Sequence, residues 1–331
     1  MILLISQRYN DLVTDLVIDW LNYKKANFLR INGYDLLLDV NFSTNLEKFT
    51  LTSQNLSSDD INVIWYRRWY NLNMFPKEYE TTSEFKDSDK VIDYVKDEFR
   101  GFKEFFFESL REKKWIHKPP YLRQKVVEKP LELKIAIKNG LSIPKTLACN
   151  NKESLLIFRK TLKKELIIKN LKTVGVFSPP TPFKKPVATY TQNLTLKEIN
   201  KLPNKFSPII VQEKIDKHFE IRVFYFKKKC YSMCIFSQVE KKTSVDFRNY
   251  STDMRQRMVP YKLPKEIEIK IELFMTEIEL ETGSIDLIYA KDSNYYFLEV
   301  NPEGQLGMVS LPCNYYLEKK IAKELIKKDY K

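Results

Sequence analysis

Residues 1–115 alternate between apolar runs typical of strands and apolar spacings typical of helices. Strands are predicted at MILLIS, NFLRIN, DLLLDVNF and VIWYRRWY. NDLVTDLVIDWLNYKK predicts an amphipathic helix whose core positions share near-helical spacing: Leu12, Leu16, Ile18 and Trp20. A long helix is predicted from Asp89 to Trp115, with an apolar stripe of Phe99, Phe102, Phe106 and Leu110. This alternation predicts an α/β unit at the start of the chain.

Two further units are predicted after a proline-marked joint, KPP, at 118–120. In residues 116–205, VEKPLELKIAIKNG predicts a helix ended by Gly140, and the segments LSIPKTLAC, SLLIFRKTLKK and ELIIKNL predict a strand, a helix and a strand. In residues 206–331, SPIIVQEKI, FEIRVFYF and KCYSMCIFSQ predict strands, and IEIKIELFMTEIELETG predicts a helix ended by Gly283. NYYLEKKIAKELIKK predicts a closing helix with an inner face of Leu317, Ile321 and Leu325.

Composition narrows the class of protein. The chain has 331 residues with 43% hydrophobic content and only seven glycines, and the glycine-rich phosphate-loop and dinucleotide-binding fingerprints do not occur in it. A net charge of +13 favours an anionic partner, although dispersed lysines also fit an ordinary basic surface. No apolar run of about 18 residues occurs, so no membrane span is predicted. Four cysteines without zinc or disulfide spacing predict a reduced, cytoplasmic protein.

The strongest candidate site lies in the stretch SIDLIYA-KDSN-YYFLEVNPE, residues 284–303. Two β-rich runs around a polar four-residue turn predict a β-hairpin. With the turn at KDSN, Ala290 pairs with Tyr295, and counting back places Asp286 directly opposite Glu299. Two carboxylates that face each other across a ladder are unfavourable unless a cation lies between them.

Asn301 would add a third oxygen ligand to this hairpin. It lies two residues after Glu299, so both side chains project from the same strand face. Oxygen ligands without His or Cys suit Mg²⁺, which usually takes one or two carboxylates together with substrate phosphates. The hairpin therefore indicates an enzyme that uses Mg²⁺ and a nucleotide. An exposed hairpin with scattered acidic residues is the alternative.

Charged residues at the ends of predicted elements are further candidates. Lys129 opens a helix and Lys169 ends the strand ELIIK, where each could meet phosphate oxygens, although such lysines are usually only solvated. QEKI, Gln212 to Ile215, follows a strand and offers backbone groups to an adenine edge. Glu220 and Arg222 share one strand face, where they suit ribose and phosphate or, alternatively, pair with each other.

Taken in order, these motifs resemble the ATP-grasp superfamily. The resemblance rests on the strand-end lysine, QEKI, FEIRV, VDFRNY and SIDLIYA…YYFLEVNPEGQLG, and it covers nearly the whole chain. The branch contains ribosomal-protein glutamate ligases and microviridin-type macrocyclases (graspetide synthetases), and NPEGQLGMVSLPCNYYLEKKIA is most similar to grasp-with-spasm peptide maturases. The resemblance implies a mixed α+β and α/β fold of three domains. A Rossmann-like pre-ATP-grasp domain would span 1–115, and subdomains 116–205 and 206–331 would hold the nucleotide between them.

The resemblance also implies a role for each motif residue. Residues expected to bind ATP are Lys129 and Lys169 at the phosphates, Gln212, Glu213 and Ile215 at the adenine, and Glu220 at the ribose. Residues expected to hold Mg²⁺ are Asp286, Glu299 and Asn301. Arg222 and Arg248 would stabilise charge on the transferred phosphoryl group, and Arg67 and Arg68 would meet acidic side chains of the substrate.

The implied function is an ATP-dependent peptide macrocyclase. It would phosphorylate Asp or Glu side chains of a ribosomally made precursor and join them to Thr or Ser as esters, or to Lys as amides. A leader segment of the precursor, a homodimeric partner and a SPASM-domain protein are the partners that the resemblance implies; no membrane or nucleic acid is expected. One rival is an ATP-grasp ligase that adds amino acids to a protein or peptide. A basic nucleic-acid-binding module is the other, and it leaves the facing carboxylates unexplained.

Overall fold

The structure is a computed structural model of the chain. It describes residues 1–7, 11–33, 41–51, 56–69, 88–123, 128–170, 176–177, 187–188, 191–236 and 257–330. Arg248, most of the predicted strand DLLLDVNF and the segment Ser178 to Pro186 lie outside these ranges. No helix within the described ranges is long and apolar enough to cross a bilayer.

The described residues form strands and helices, and in several parts of the chain successive strands follow one another without an α-helix between them. The strands are β1 (Ile2–Ser6), β2 (Phe28–Asn32), β3 (Phe42–Thr44), β4 (Phe49–Leu51), β5 (Leu56–Ser57), β6 (Val63–Tyr66), β7 (Lys114–His117), β8 (Thr146–Asn151), β9 (Leu166–Lys169), β10 (Val176–Phe177), β11 (Val187–Ala188), β12 (Gln192–Leu194), β13 (Lys205–Glu213), β14 (Lys217–Phe226), β15 (Lys229–Ile235), β16 (Met258–Tyr261), β17 (Thr282–Ala290) and β18 (Tyr295–Asn301). The helices are α1 (Leu12–Tyr23), α2 (Ser88–Glu108), α3 (Lys129–Lys138), α4 (Lys152–Leu162), α5 (Leu196–Lys201), α6 (Lys265–Glu277), α7 (Gly307–Cys313) and α8 (Leu317–Asp329).

Three sheets dominate the architecture. The first is parallel with the order β2-β1-β6-β7, which is the α/β unit that the apolar runs predict. The second is antiparallel with the order β12-β9-β13-β8, and the third is antiparallel with the order β16-β15-β14-β17-β18. Smaller sheets are formed by β3, β4 and β5 and by β10 and β11. The predicted mixture of α/β and α+β structure is confirmed.

Several predicted elements are confirmed at their positions. The helix that Gly140 was expected to end is α3, and Gly140 has a φ of +77°, a backbone conformation that glycine adopts without strain. The closing helix α8 buries the predicted face of Leu317, Ile321 and Leu325. The strand pair FEIRVFYF and KCYSMCIFSQ corresponds to β14 and β15.

The inner face of α1 differs from the prediction. Val13, Val17 and Leu21 are buried, whereas Leu12 is 65% exposed. These three residues recur every four positions, so one row of side chains contacts the neighbouring β1 sheet and α8. Of the predicted positions, Ile18 and Trp20 are partly buried and pack against the same core, whereas Leu12 does not, so the sequence pattern is right only in part.

The ends of two helices also differ from the prediction. Helix α2 ends at Glu108 rather than continuing to Trp115, which lies in β7 beside β6 and donates its indole N–H to the carbonyl of Leu110 at 3.0 Å. Helix α6 ends at Glu277, and Glu279 then adopts a left-handed φ of +58°. Gly283, predicted to end α6, instead lies in β17.

One hydrophobic core joins the first sheet to the third. Trp65 of β6 and Val17 of α1 share this core with Phe224 of β14, with Leu306 just before α7 and with Ile321 of α8. Burial of such apolar side chains stabilises by about 1.5–3 kcal/mol each. The loop after β18 is therefore held next to the parallel sheet, which places two groups of candidate residues near each other.

Candidate active site

The hairpin of β17 and β18 brings the predicted acidic pair together. Asp286 pairs with Glu299, as predicted. The pairing near the turn is not as predicted, because Tyr289 rather than Ala290 lies opposite Tyr295. The ladder shifts register between Asp286 and the next residue of β17, which restores the alignment of the acidic residues. The carboxylates thus face each other although the predicted turn register is one residue off.

Each of the two carboxylates is paired with a cationic side chain. Nη1 of Arg222 donates to both carboxylate oxygens of Asp286 at 3.0 Å. Nζ of Lys129 lies 2.8 Å from Oε2 of Glu299. Arg222 comes from the adjacent strand β14, where it pairs directly with Asp286, and Lys129 is the first residue of α3. The hairpin is therefore a site of alternating charges rather than an exposed turn with scattered acids.

Asn301 ends the same strand, and its side chain has a hydrogen-bond partner within the following loop. Its backbone pairs with Ser284, and its side-chain Oδ1 accepts a hydrogen bond from the N–H of Glu303 at 3.1 Å. The side chain is exposed. Two carboxylates with a neighbouring amide oxygen fit the donor set that Mg²⁺ prefers. No group of three His, Cys, Asp or Glu side chains suited to a metal occurs among the described residues.

An open cleft lies beside the acidic pair, between the second and third sheets, with about 640 Å³ of space between its walls when the adjoining open solvent is included. Seven of the predicted residues line it: Lys169, Glu213, Ile215, Glu220, Arg222, Asp286 and Glu299. Apolar side chains complete the lining, including Ile167, Ile288 and Leu298. This combination suits a flat apolar base at one end and charged phosphates at the other.

The segment between β13 and β14 forms the end of the cleft that suits a base. Oε1 of Glu213 accepts a hydrogen bond from the N–H of Lys145 at 2.9 Å, and Nζ of Lys164 lies 3.2 Å from Oε2. These contacts fix the end of β13, and Ile215 follows as a buried residue of the lining. Gln212 instead faces its own sheet, where its Nε2 donates to Thr146 Oγ1 at 2.9 Å.

Lys217 is a cleft residue that the sequence reasoning missed. Its ammonium forms a buried ion pair with Glu220, and the two side chains are 5% and 9% exposed. Residues three apart normally project from opposite faces of a strand, but β14 has an irregularity between Lys217 and Phe219 that turns both toward the cleft. The expected alternative, a pair between Glu220 and Arg222, does not form, because each binds a different partner.

Glu132 is a second residue without a sequence signal. It is buried one helical turn after Lys129, and its Oε2 accepts a long hydrogen bond of 3.5 Å from the N–H of Val300. Burial raises the pKa of Glu132 to about 7, and the negative charge of Glu299 adds to the rise. Its charge state near neutral pH therefore affects the surroundings of the acidic pair.

The two predicted substrate-binding arginines lie away from this cleft. Arg67 follows β6 and is buried, and Arg68 is partly exposed beside it. Arg248, the second predicted catalytic arginine, lies outside the described residues. The structure thus gathers the nucleotide and metal candidates into one cleft and leaves Arg67 and Arg68 at a separate edge of the first sheet.

Solved structures share the fold of this chain. A RiPP-associated ATP-grasp ligase from Chryseobacterium gregarium, in complex with ADP and a leader and core peptide, is 24% identical, with a TM-score of 0.84 over 98% of this chain and 95% of that protein. The macrocyclase MdnC from Microcystis aeruginosa MRC, bound with the precursor peptide MdnA, is 23% identical, with a TM-score of 0.79 over 98% and 99% of the two chains. The ATP-grasp ligase PsnB, complexed with a phosphomimetic variant of its minimal precursor, Mg and ADP, is 14% identical, with a TM-score of 0.74 over 99% and 98%.

These similarities show the ATP-grasp fold over nearly the whole chain, which confirms the predicted fold class. No protein-family model and no curated protein matches the sequence.

Proposed function

We propose that this chain is an ATP-dependent peptide macrocyclase. The observation that carries the proposal is the cleft in which Asp286 faces Glu299, with Lys169 and Arg222 in the same lining. Opposed carboxylates beside several cationic groups suit Mg²⁺ and the phosphates of a nucleotide. The bound ADP and peptides of the structurally similar ligases support the same chemistry here.

In this proposal the cleft holds ATP between residues 116–205 and 206–331. The adenine would lie against Ile167 and Ile215, with the hinge after Glu213 supplying backbone groups. Glu220 would accept from ribose hydroxyls, and Lys169 would contact phosphate oxygens. Gln212 would act only indirectly, by holding β13 to β8 through Thr146.

Asp286 and Glu299 would hold Mg²⁺, with Asn301 as a further oxygen ligand. The ion would supply charge neutralisation at the phosphates. Lys129 and Arg222 now balance the charges of the two carboxylates at 2.8 and 3.0 Å. When the carboxylates take a cation, these two side chains would be free to contact phosphate oxygens.

The proposed reaction has two steps. A substrate carboxylate oxygen attacks the terminal phosphorus of ATP, and ADP leaves as the acyl-phosphate forms. A Thr or Ser hydroxyl, or a Lys amine, then attacks the acyl carbon, loses a proton, and displaces inorganic phosphate. Arg222, together with Arg248, would stabilise the charge that develops on the transferred group. Positioning and charge neutralisation supply most of the catalysis in such a transfer.

The substrate class follows from charge and from the related structures. A net charge of +13 favours an acidic peptide. The similar structures hold leader, core or precursor peptides. The natural substrate would therefore be a ribosomal precursor with a leader segment and an acidic core, and Arg67 and Arg68 would contact the acidic residues.

Mass spectrometry of the purified protein, incubated with Mg-ATP and the acidic precursor encoded beside its gene, tests the proposal. Each ester or amide bond removes one water from the peptide, so successive ATP-dependent losses of water are expected. A mass gain of one or more amino-acid residues would instead identify the second candidate, a ligase that adds amino acids. If the peptide shows neither an ATP-dependent loss of water nor an ATP-dependent gain in mass, both functions are refuted.

A matched pair of variants on one hairpin tests the metal assignment. Glu299→Gln should lower turnover by roughly two to three orders of magnitude, because it removes one of two charged ligands. Asp292→Asn lies in the exposed turn of the same hairpin and should retain turnover. Turnover of Glu299→Gln at the level of Asp292→Asn would contradict the assignment.

The proposal extends to partners and location. A homodimer and a SPASM-domain partner follow from the family resemblance, and a cytoplasmic location follows from the spacing of the four cysteines. All three stay predictions. Sedimentation of the purified protein checks the dimer directly. A nucleic-acid-binding role has no support in a cleft of opposed carboxylates, because such a cleft repels a phosphate backbone unless a cation intervenes.

A further inference from the structure

Helices α1 and α8 pack side by side, and their outer sides form one basic surface. Leu317, Ile321 and Leu325 of α8 are buried in the core that also holds Val17 and Leu21 of α1. The helix positions opposite these residues therefore point away from the core. Six lysines, each partly or fully exposed, form what we call the α1–α8 surface: Lys24, Lys25, Lys319, Lys320, Lys323 and Lys327.

Contacts at both ends of α8 show that the lysines of the two helices lie side by side. Nζ of Lys319, in the first turn of α8, lies 4.5 Å from the ring centroid of Trp20, in the last turn of α1. At the other end of α8, Asp329 pairs with the N-terminal ammonium at 2.9 Å. The link after α1 returns to the same end, because the carbonyl of Asn27 accepts from the N–H of Ile2 at 3.1 Å. This link carries the two lysines that follow α1, so they lie beside α8.

The positive charge of this surface is not balanced by nearby acidic residues. Among the described residues, none of the six ammonium groups forms an ion pair with an Asp or a Glu. The acidic residues of α1 and α8 that bind groups outside the surface are Asp15, Glu318, Glu324 and Asp329. Asp19 is the remaining acidic residue of the two helices, so six positive charges face one negative charge. An acidic partner would relieve the repulsion among the lysines.

Aromatic rings hold two of the lysines in place. Lys319 lies over Trp20, whose ring meets that of Tyr23 edge-on with centroids 5.6 Å apart, and Nζ of Lys320 lies 5.7 Å from the ring centroid of Tyr231. Such contacts restrict a long side chain, so less entropy is lost when its ammonium group binds a partner. They also cover a ring face on which a base of a nucleic acid would stack. The arrangement therefore favours carboxylates over a nucleic acid.

The spacing of the lysines along α8 matches an extended acidic peptide. Lys319, Lys323 and Lys327 are four residues apart, which places them about 6 Å from one another along the helix axis. In an extended chain, side chains two residues apart point to the same side and are separated by about 6.5–7 Å. Three acidic residues at alternate positions of an extended segment can therefore each meet one of these lysines.

We propose that the α1–α8 surface is a docking site for an extended acidic peptide segment. It shares no residue with the lining of the nucleotide cleft. Charge complementarity holds the segment, and Lys319, Lys323 and Lys327 each contact one carboxylate. The natural occupant, an acidic stretch of the precursor that is not itself modified, rests on the proposed function; the docking surface does not. Docking there keeps the precursor at a high effective concentration while its side chains react in the cleft.

Fluorescence anisotropy with a labelled peptide tests the docking surface without nucleotide or turnover. The probe is a peptide of alternating Glu and Ser, and its control has Gln in place of every Glu. At constant ionic strength the wild type should bind the Glu peptide and not the Gln peptide. The triple variant Lys319→Gln/Lys323→Gln/Lys327→Gln should raise the Kd for the Glu peptide roughly tenfold or more, because three charge contacts are lost.

A matched triple variant separates this surface from the general positive charge of the protein. Lys160→Gln/Lys197→Gln/Lys201→Gln removes the same charge from exposed positions of α4 and α5. Its Kd for the Glu peptide should stay within about twofold of the wild type, because salt screens charges that are not in contact.

Trp20 provides a local signal of binding. Because Lys319 lies over its indole ring, a carboxylate that draws the ammonium group away should change the tryptophan emission. The emission of the wild type should therefore change as the Glu peptide saturates, whereas that of Trp20→Phe should not. A general attraction between a basic protein and an acidic peptide does not produce this difference.

Four results would overturn the docking surface: equal Kd values for the two triple variants, equal affinity for the Glu and Gln peptides, an unchanged Trp20 emission at saturation, or tighter binding of a single-stranded oligonucleotide of equal charge. The emission is measured on the wild type, so misfolding of a variant does not decide the outcome. If the Glu peptide binds as expected but no precursor is cyclised, the proposed function fails while the docking surface stands. If the precursor is cyclised but the Glu peptide does not bind, the docking surface fails while the proposed function stands.

Discussion

The buried pair of Lys217 and Glu220 gives a prediction whose size follows from its burial. Their side chains are 5% and 9% exposed, so removal of one partner leaves the other charge in a site that is largely shielded from water. Lys217→Met should therefore destabilise by about 3–5 kcal/mol, the range for breaking a buried pair, rather than the 0–1 kcal/mol of a surface pair. Removing both charges together should cost far less.

The expected shift in melting temperature can be worked out from chain length. Unfolding entropy of about 2.1 cal/mol/K per residue gives roughly 0.7 kcal/mol per degree for 331 residues. Lys217→Met should then lower the melting temperature by about 4–7 °C. Glu220→Gln should have an effect of similar size, and the double variant Lys217→Met/Glu220→Gln should recover about 2–3 kcal/mol relative to the sum of the single changes.

Differential scanning calorimetry of the four proteins at one pH and salt concentration measures this cycle. A control pair is available at Lys265 and Glu268, which are also three residues apart but lie on the exposed side of α6. That cycle should give a coupling below about 0.5 kcal/mol. If the coupling energy between Lys217 and Glu220 is as small as that between Lys265 and Glu268, the argument from burial is wrong.

The remaining predictions concern pH and packing near the acidic pair. Because burial raises the pKa of Glu132 to about 7, its contribution to stability is complete below about pH 4.3 and is lost as pH rises to about 7. In urea unfolding, the free energy of unfolding of the wild type should fall by about 3 kcal/mol more than that of Glu132→Gln as the pH rises across this window. If the two free energies of unfolding change equally with pH, the prediction is contradicted. Gly304→Ala should lower the melting temperature and turnover, because its Cβ would lie 2.0 Å from Oγ and 2.7 Å from the backbone N of Ser284. Ser284→Gly should restore part of the loss; Gly304→Ala with wild-type stability would show that the loop shifts freely.

The hairpin shows how far sequence reasoning reaches. Its strands, polar turn and opposed carboxylates are local features, and the pairing of Asp286 with Glu299 is confirmed. Counting back from a pair of Ala290 and Tyr295 requires a ladder without interruption. In the structure Tyr289 pairs with Tyr295, and the ladder then shifts register. A register shift depends on how β17 packs between β14 and β18, which no pattern within the hairpin records.

Local patterns determined most elements of this protein. Apolar runs and helical spacings predict β1, α3, β14, β15 and α8, because hydrophobic periodicity is set by the element itself. The order of the motifs predicts which residues bind the nucleotide and the metal, and most of these residues line one cleft. These features involve residues close together in the chain, or strands joined by a short turn.

Tertiary structure alone decided what depends on distant segments. The sheet and α8 select the row of α1 residues that is buried, an irregularity in β14 pairs Lys217 with Glu220, and α3 brings Glu132 beside the acidic pair. The loop after β18 lies beside the first sheet because one core, which includes Leu306, joins the first and third sheets. Burial and long-range charge are properties of the assembled fold, so the sequence carries no local signal for them.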